Sequence, residues 1–316
     1  MKKLSIILPV YNEEGNLVKL FSELSAVAEK ILSEYEIIAV NDGSKDGSLK
    51  VLADLARKNQ HIKVVDFTKN FGQTAAISAG IDLAEGDILV LIDSDLENDP
   101  NDMPVLIRMI EEGYDVVSGW RKGRWRGNLF TRKLPSVTAN QIISSLSGVK
   151  LHDYGCTLKA YRASLVKNIR FYGEMHRFIP IFISWNGGKV GEIAVNYRAR
   201  EYGRSKYGLF RTFSVILDLL LIKFLEKYMT RPIHFFGGLG FVSFFLGLLS
   251  AAAAVILKVT GLRSFVATPL PVFSALLLIV GIQLIALGVV SEILMRTYYE
   301  SQNKPAYSIK GRINLS

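Results

Sequence analysis

The chain has 316 residues, a net charge of +9 and 49% hydrophobic residues, with a mean hydropathy of +0.25; that length suits one large domain or two modest ones. Its one cysteine, Cys156, excludes an internal disulfide and a cysteine-based metal site. The basic excess could meet nucleic acid, but no nucleic-acid motif is present, and cations beside long apolar stretches point instead to anionic lipid headgroups.

Residues 4–10 read as an apolar strand, after which Leu17, Leu20, Phe21, Leu24, Ala28 and Ile31 recur at helical spacing. A second strand at 36–40 runs into the turn residues Asn41-Asp42-Gly43-Ser44. A helix near 48–59, a strand near 63–67 and a helix near 73–84 follow. The apolar run 88–92, bounded by Gly86-Asp87 and Asn98-Asp99-Pro100, has the character of a buried parallel strand. A helix over about 101–112 precedes a strand at 115–119. This alternation predicts an α/β fold with a parallel sheet covered on both faces.

Residues 207–231 carry Leu209, Phe210, Phe213, Leu217 and Leu220 with interspersed charges. They suit amphipathic juxtamembrane helices in the membrane interface, or an ordinary core-facing helix. Two stretches, 232–257 and 264–291, then lack Asp, Glu, Lys and Arg, and each exceeds the ~20 residues that cross a bilayer core. Lys223, Lys227 and Arg231 precede them, and Arg296, Lys304, Lys310 and Arg312 follow, against only Lys258 and Arg263 between. The bias predicts a multi-pass protein of the cell inner (plasma) membrane with both termini cytoplasmic. The apolar run after Met1-Lys2-Lys3 is short and broken by Pro9, unlike a signal peptide. Small residues in the spans, among them Gly237, Gly240, Gly247 and Ala251, permit helix association and hence a homo-oligomer.

The chemistry centres on Asp93-Ser94-Asp95-Leu96-Glu97, directly after the apolar run. Alternate residues of a strand face one side, and the carboxyl edge of an open α/β sheet is where ligands bind. Two adjacent carboxylates resist ionising together. A hard divalent cation, Mg²⁺ or Mn²⁺, relieves that repulsion and implies a phosphate-bearing substrate. The loops Pro9-Val10-Tyr11-Asn12-Glu13-Glu14 and Asn41-Asp42-Gly43-Ser44 should face the same cleft. There Glu13 and Asp42 could bind a ribose or base edge, although a first-turn helix acid and a turn former are the alternatives. Calcium loops are excluded, because the twelfth positions are Ala53 and Pro104 where a Glu is needed. No GxGxxG follows the first strand, and no GxxxxGK[ST] occurs.

The ordered set Pro-Val-Tyr-Asn-Glu-Glu, Asn-Asp-Gly-Ser and Asp-Ser-Asp-Leu-Glu resembles the family 2 glycosyltransferases of the GT-A (Rossmann-like) fold. Two C-terminal spans preceded by Tyr202-Gly203-Arg204-Ser205-Lys206-Tyr207 make the chain similar to polyprenyl-phosphate glycosyltransferases such as dolichol-phosphate mannose synthases and bactoprenol glucosyltransferases. The resemblance implies a cytoplasmic catalytic domain at 1–206, juxtamembrane helices at 207–231, a transmembrane hairpin at 232–296 and a cytoplasmic tail at 297–316. It implies that Pro9, Tyr11, Glu13, Asp42 and Asp93 bind the donor nucleotide, and that Asp93, Asp95 and Glu97 hold the metal. It also implies that Arg121, Arg132, Ser136, Arg204 and Lys206 bind the acceptor phosphate, with Asp95 and Asp153 catalytic. Many members carry Gln where this chain has Glu97. Asp153, in His152-Asp153-Tyr154-Gly155-Cys156, is a base, a sugar-positioning residue or a plain turn residue. The expected reaction is inverting, metal-dependent transfer of a hexose, glucose from UDP-glucose being favoured, to a polyprenyl phosphate. Other sugars, or a non-catalytic membrane-anchored nucleotide-sugar binder, are the alternatives.

Overall fold

Seven consecutive buried residues, Leu4–Val10, form the central strand β1. With both faces of the sheet covered, such a strand has no polar side to alternate with. In this computed structural model, residues 3–31, 34–122, 124, 134–167, 169, 175–198, 232–301 and 309–314 are described. They fall into two compact units, Met1–Leu219 with Pro305–Ser316, and Leu220–Lys304.

The first unit runs α1 (Glu14–Ile31), β2 (Tyr35–Asn41), α2 (Ser48–Lys58), β3 (Ile62–Phe67), α3 (Gln73–Leu83), β4 (Ile88–Leu91) and α4 (Met103–Glu111). It continues with β5 (Val116–Trp120), α5 (Leu134–Ser147), β6 (Lys159–Arg162), α6 (Ala163–Val166), α7 (Ile179–Trp185), β7 (Val190–Ala194) and, late in the chain, β8 (Ile309–Ile313). The eight strands lie in the order β7-β5-β6-β4-β1-β2-β3-β8. Each face has its own core. Leu8, Leu20, Leu24 and Val90 belong to one, and Ile7, Ile38, Ile77 and Leu89 to the other.

The elements expected through β5 are present, but the sheet is mixed rather than parallel. β6 runs antiparallel to both β4 and β5, and β8 runs antiparallel to β3. β6 is four residues long, begins with a buried lysine and shows no period-2 alternation, so periodicity could not reveal it. The stretch expected as a tail contributes β8, with Val64 paired to Ile313 and Phe67 to Ile309. Asn314 Nδ2 then donates to the carbonyls of Ala56 (3.1 Å) and Ile62 (2.9 Å), capping the edge that β3 would otherwise leave unpaired.

Register places one edge of this sheet. β1 pairs in parallel with β2 and β4, so their carboxyl ends coincide. β6 reverses, which brings its amino end, with Lys159 opposite Leu91 and Ser118, to that edge. β5 and β7 are parallel and deliver Trp120 and Ala194 to the same side.

The second unit contains the helices Pro232–Val259 and Leu270–Ser301. Their segments Ile233–Val259 and Leu270–Leu294 are long and apolar enough to cross a membrane, and 17% of each apolar window is buried, unlike core helices of a soluble domain. Small residues let the two helices touch. A Cβ on Gly240 would lie 2.7 Å from the Gly281 carbonyl, and one on Gly247 2.9 Å from Leu278. Ser243 Oγ and Ser274 Oγ donate across the pair to the carbonyls of Leu277 and Gly247, each at 2.9 Å. Gly240 and Gly247, two of the small residues expected to permit helix association, are thus engaged within the hairpin. Gly238, between them and the start of the first long helix, faces open space. The segment 207–231 lies outside the described residues.

Candidate active site

The carboxyl-edge loops are tied to one another before any substrate arrives. Asn12 adopts a left-handed backbone (φ 56°), its Oδ1 accepting from Lys45 N (2.7 Å) and its N–H donating to Ser44 Oγ (3.0 Å). Ser94 Oγ donates to the Pro9 carbonyl (2.9 Å), joining the β4 loop to β1. Gly43 has φ +64°, and a Cβ there would sit 2.4 Å from the Lys69 backbone. Only glycine meets both demands. Pro9, Tyr11, Glu13 and Asp42 therefore share one rim, as expected.

Their side chains differ in what they leave open. Asp42 is 3% exposed. Its Oδ1 accepts from Phe71 N (2.6 Å) and its Oδ2 from Gly72 N (3.0 Å) and Asn70 Nδ2 (3.0 Å). Burial raises its pKa. The carboxylate thus organises the loop after β3, and any nucleotide contact adds to that role. Glu13 is half-buried and accepts from Asn16 Nδ2 at 2.6 Å.

Asp93 Oδ1 accepts from Gln73 Nε2 (2.7 Å), and Oδ2 from Thr157 Oγ1 (2.6 Å). Burial first, and then the charge of Asp95, lifts its pKa to about 6. β4 ends at Leu91, so strand alternation does not align the acidic residues. A turn does. Leu96 is buried with φ 62°, an uncommon conformation for a branched apolar residue. Glu97 lies beyond it, and Glu97 Oε2 is 3.7 Å from Arg121 Nη1.

Arg121 follows β5, is 5% exposed, and grips Asp153 bidentately: Nε to Oδ2 at 2.8 Å and Nη2 to Oδ1 at 3.1 Å. Expected as an acceptor-phosphate ligand, it stands between Glu97 and Asp153 as a clamp, and any phosphate contact would add to that role. Burial alone would raise the Asp153 pKa, but the Arg121 guanidinium overrides this and holds it below the usual range. Arg132, Arg204 and Lys206 lie outside the described residues, as does the side chain of Ser136.

Sequence reasoning missed several supports. Lys159 is 3% exposed and donates to the carbonyls of Tyr154 (3.2 Å) and Cys156; burial lowers its pKa. Thr74 Oγ1 and His176 Nδ1 form a buried pair at 2.6 Å. Burial pushes the Cys156 thiol up to about 11, which makes it inert. Gln73, Thr157 and Lys159 are ordinary residues without a motif, and only the reversed strand brings two of them to Asp93.

A divalent cation can be tested against these donors. Among the described residues no group of three His, Cys, Asp or Glu is gathered for a metal. Mg²⁺ commonly takes one or two carboxylates, with waters and substrate phosphates completing the shell. Asp93 and Asp95, hard oxygen donors whose mutual repulsion is visible in the raised Asp93 pKa, fit that pattern. Glu97 faces a guanidinium.

Residues 5–170 match the family described as Glycosyl transferase family 2. The chain is 42% identical over 318 residues to the dodecaprenyl-phosphate galacturonate synthase of Rhizobium johnstonii, covering 98% of this chain and 92% of that protein. It is 35% identical over 312 residues to the undecaprenyl-phosphate 4-deoxy-4-formamido-L-arabinose transferase of Yersinia enterocolitica, covering 98% and 93%. Glucosyl-3-phosphoglycerate synthase from Mycobacterium tuberculosis, solved with Mn²⁺, UDP and glucosyl-3-phosphoglycerate, superposes with a TM-score of 0.56 at 19% identity, over 70% of this chain and 80% of that one. That likeness shows the GT-A fold. The chain belongs to glycosyltransferase family 2, and it is a glycosyltransferase that acts on polyprenyl phosphate.

Proposed function

We propose that the protein transfers a modified sugar, a UDP-linked uronic acid such as galacturonate before others, to polyprenyl phosphate at the cytoplasmic face of the inner membrane, with inversion. The observation that carries this reading is the 42% identity to a galacturonate synthase over nearly the full length of both chains, in a chain whose sheet edge gathers Asp93, Asp95 and the Arg121–Asp153 pair. The glucose expected from the sequence finds no support among these relatives, which carry galacturonate and 4-deoxy-4-formamido-L-arabinose.

In this reading the nucleotide lies along the rim of Pro9, Tyr11, Glu13 and Asp42, and Asp93 and Asp95 hold a Mg²⁺ or Mn²⁺ ion. Bound there, the cation would neutralise charge on the leaving diphosphate. Gln73 and Thr157 fix the Asp93 carboxylate. An oxygen of the lipid phosphate attacks the anomeric carbon from the face opposite the diphosphate. The bond from that carbon to the diphosphate oxygen breaks, and its electron pair leaves with the nucleoside diphosphate. A lipid monophosphate, with a second pKa near ~6, needs no base at neutral pH. Asp153, held ionised by Arg121, is a weak base and serves to position the sugar.

The test is a donor screen with purified full-length enzyme, undecaprenyl phosphate and Mg²⁺ or Mn²⁺, following nucleoside diphosphate release. UDP-galacturonate should be the preferred donor. Release that does not depend on the lipid phosphate, or no release with any donor, would refute the reading.

A further inference from the structure

Beside the Arg121–Asp153 pair opens a cleft of about 770 Å³, walled by the end of β5, by α5 and by residues 150–153. Among the described residues its cations are Arg121, Lys122 and Lys150, and its one carboxylate is Asp153, which Arg121 already pairs. Lys122 and Lys150 are exposed, and among the described residues neither forms an ion pair. Lys122 Nζ lies 5.5 Å from the centroid of the Trp120 ring. We infer that this cleft seats the transferred sugar, and that Lys122 and Lys150 bind a carboxylate carried by it. The inference rests on the reading above that the donor sugar is a uronic acid.

Three observations support it. First, the α5 wall presents Asn140, Gln141, Ser144 and Ser145. Amides and hydroxyls suit the hydroxyls of a sugar ring, and Val137, Leu151 and the Trp120 ring, which also line the cleft, suit its apolar faces. Second, the cleft is preformed. Asn140 Nδ2 donates to the His152 carbonyl (2.7 Å) and Ser144 Oγ to the Leu151 carbonyl (3.3 Å). His152 N donates to Glu192 Oε1 (2.8 Å), and the His152 ring stacks on Trp120 at 4.3 Å with 17° between planes. Lys150 is thereby carried on a braced segment. Third, the charge is lopsided. A neutral hexose would leave two ammonium groups without a counter-ion, while a C6 carboxylate supplies one through charge-assisted hydrogen bonds.

UDP-galacturonate and UDP-galactose differ at C6 only in carboxylate against hydroxymethyl, so they isolate this contact. In full-length enzyme with undecaprenyl phosphate, Lys122→Met with Lys150→Met should raise KM for UDP-galacturonate about tenfold or more. KM for UDP-galactose and for the lipid should stay unchanged, and Lys150→Arg should restore most of the loss. Equal effects on both donors, no effect on either, or a rise confined to the KM of the lipid phosphate would overturn the site. Calorimetry with UDP-galacturonate separates the two readings. Wild-type protein that does not bind it overturns both the uronic-acid reading and this site. Wild-type and double-variant proteins that bind it equally overturn this site alone.

Discussion

Arg121 joins two carboxylates that lie far apart in the chain, Glu97 and Asp153. Removing the guanidinium would leave Asp153, whose side chain is only 14% exposed, charged and without its closest counter-ion. Arg121→Met should therefore cost about 3–5 kcal/mol, read as a fall in the unfolding midpoint. The sign with pH follows from the depressed Asp153 pKa. The stabilisation is fully present above the unfolded carboxylate value, ~3.9, and is lost as pH falls through the lower folded value. Wild-type stability should thus drop on acidification more steeply than that of Arg121→Met, and parallel pH curves would show that the pair is not coupled. At Asp95, replacement by Asn should lower kcat about a hundredfold or more. Chelation by EDTA should abolish turnover, and added Mg²⁺ or Mn²⁺ should restore it. Near-normal turnover of Asp95→Asn would remove this carboxylate from the metal role.

At the scale of elements, two features position the site without touching substrate. Gly43 allows the β2 loop to press on the backbone at Lys69, next to the loop that Asp42 holds. Gly43→Ala adds both a left-handed strain and a clash, for about 1–3 kcal/mol or more, and should raise the donor KM through displacement of residues 70–72. An unchanged KM and midpoint would show the loop to be slack. β8 covers β3, whose Asp66 accepts from Asn41 Nδ2 at 2.8 Å, one residue before Asp42. Deleting 305–316 should expose that edge, lower the unfolding midpoint and promote aggregation; a soluble enzyme of unaltered stability would argue that β8 is dispensable.

At the scale of the molecule, two helices long and apolar enough to cross a membrane lie between β7 and β8 in the chain, and β8 rejoins the sheet of the first unit; in the proposed orientation they form a hairpin that leaves both ends cytoplasmic. Cysteine labelling can read this topology, because Cys156 is buried and unreactive. Val18 and Leu262 are 60% and 70% exposed. In intact cells an impermeant maleimide should label Leu262→Cys and leave Val18→Cys untouched until the membrane is opened. The reverse pattern would invert the proposed orientation.

Much was legible along the chain because the signals are local. Continuous apolar runs marked β1 and β4, helical spacing marked α1, and the charge-free stretches marked both long helices. The acidic loop and the Asn-Asp-Gly-Ser loop marked the proposed donor side, since loops at neighbouring strand ends must meet. The sequence by itself therefore determined the fold class, the family and the edge on which the proposed site lies. Only the tertiary structure decided which charges face one another. β6 reverses direction and brings Thr157 and Lys159 to the acidic loop, and Leu96 turns Glu97 toward Arg121. Arg121 then folds inward onto Asp153 while Lys122 and Lys150 remain in the open cleft. The physical reason is that a charge acquires its role from its partners and its burial, and partners brought together across a sheet leave no periodic trace in the sequence.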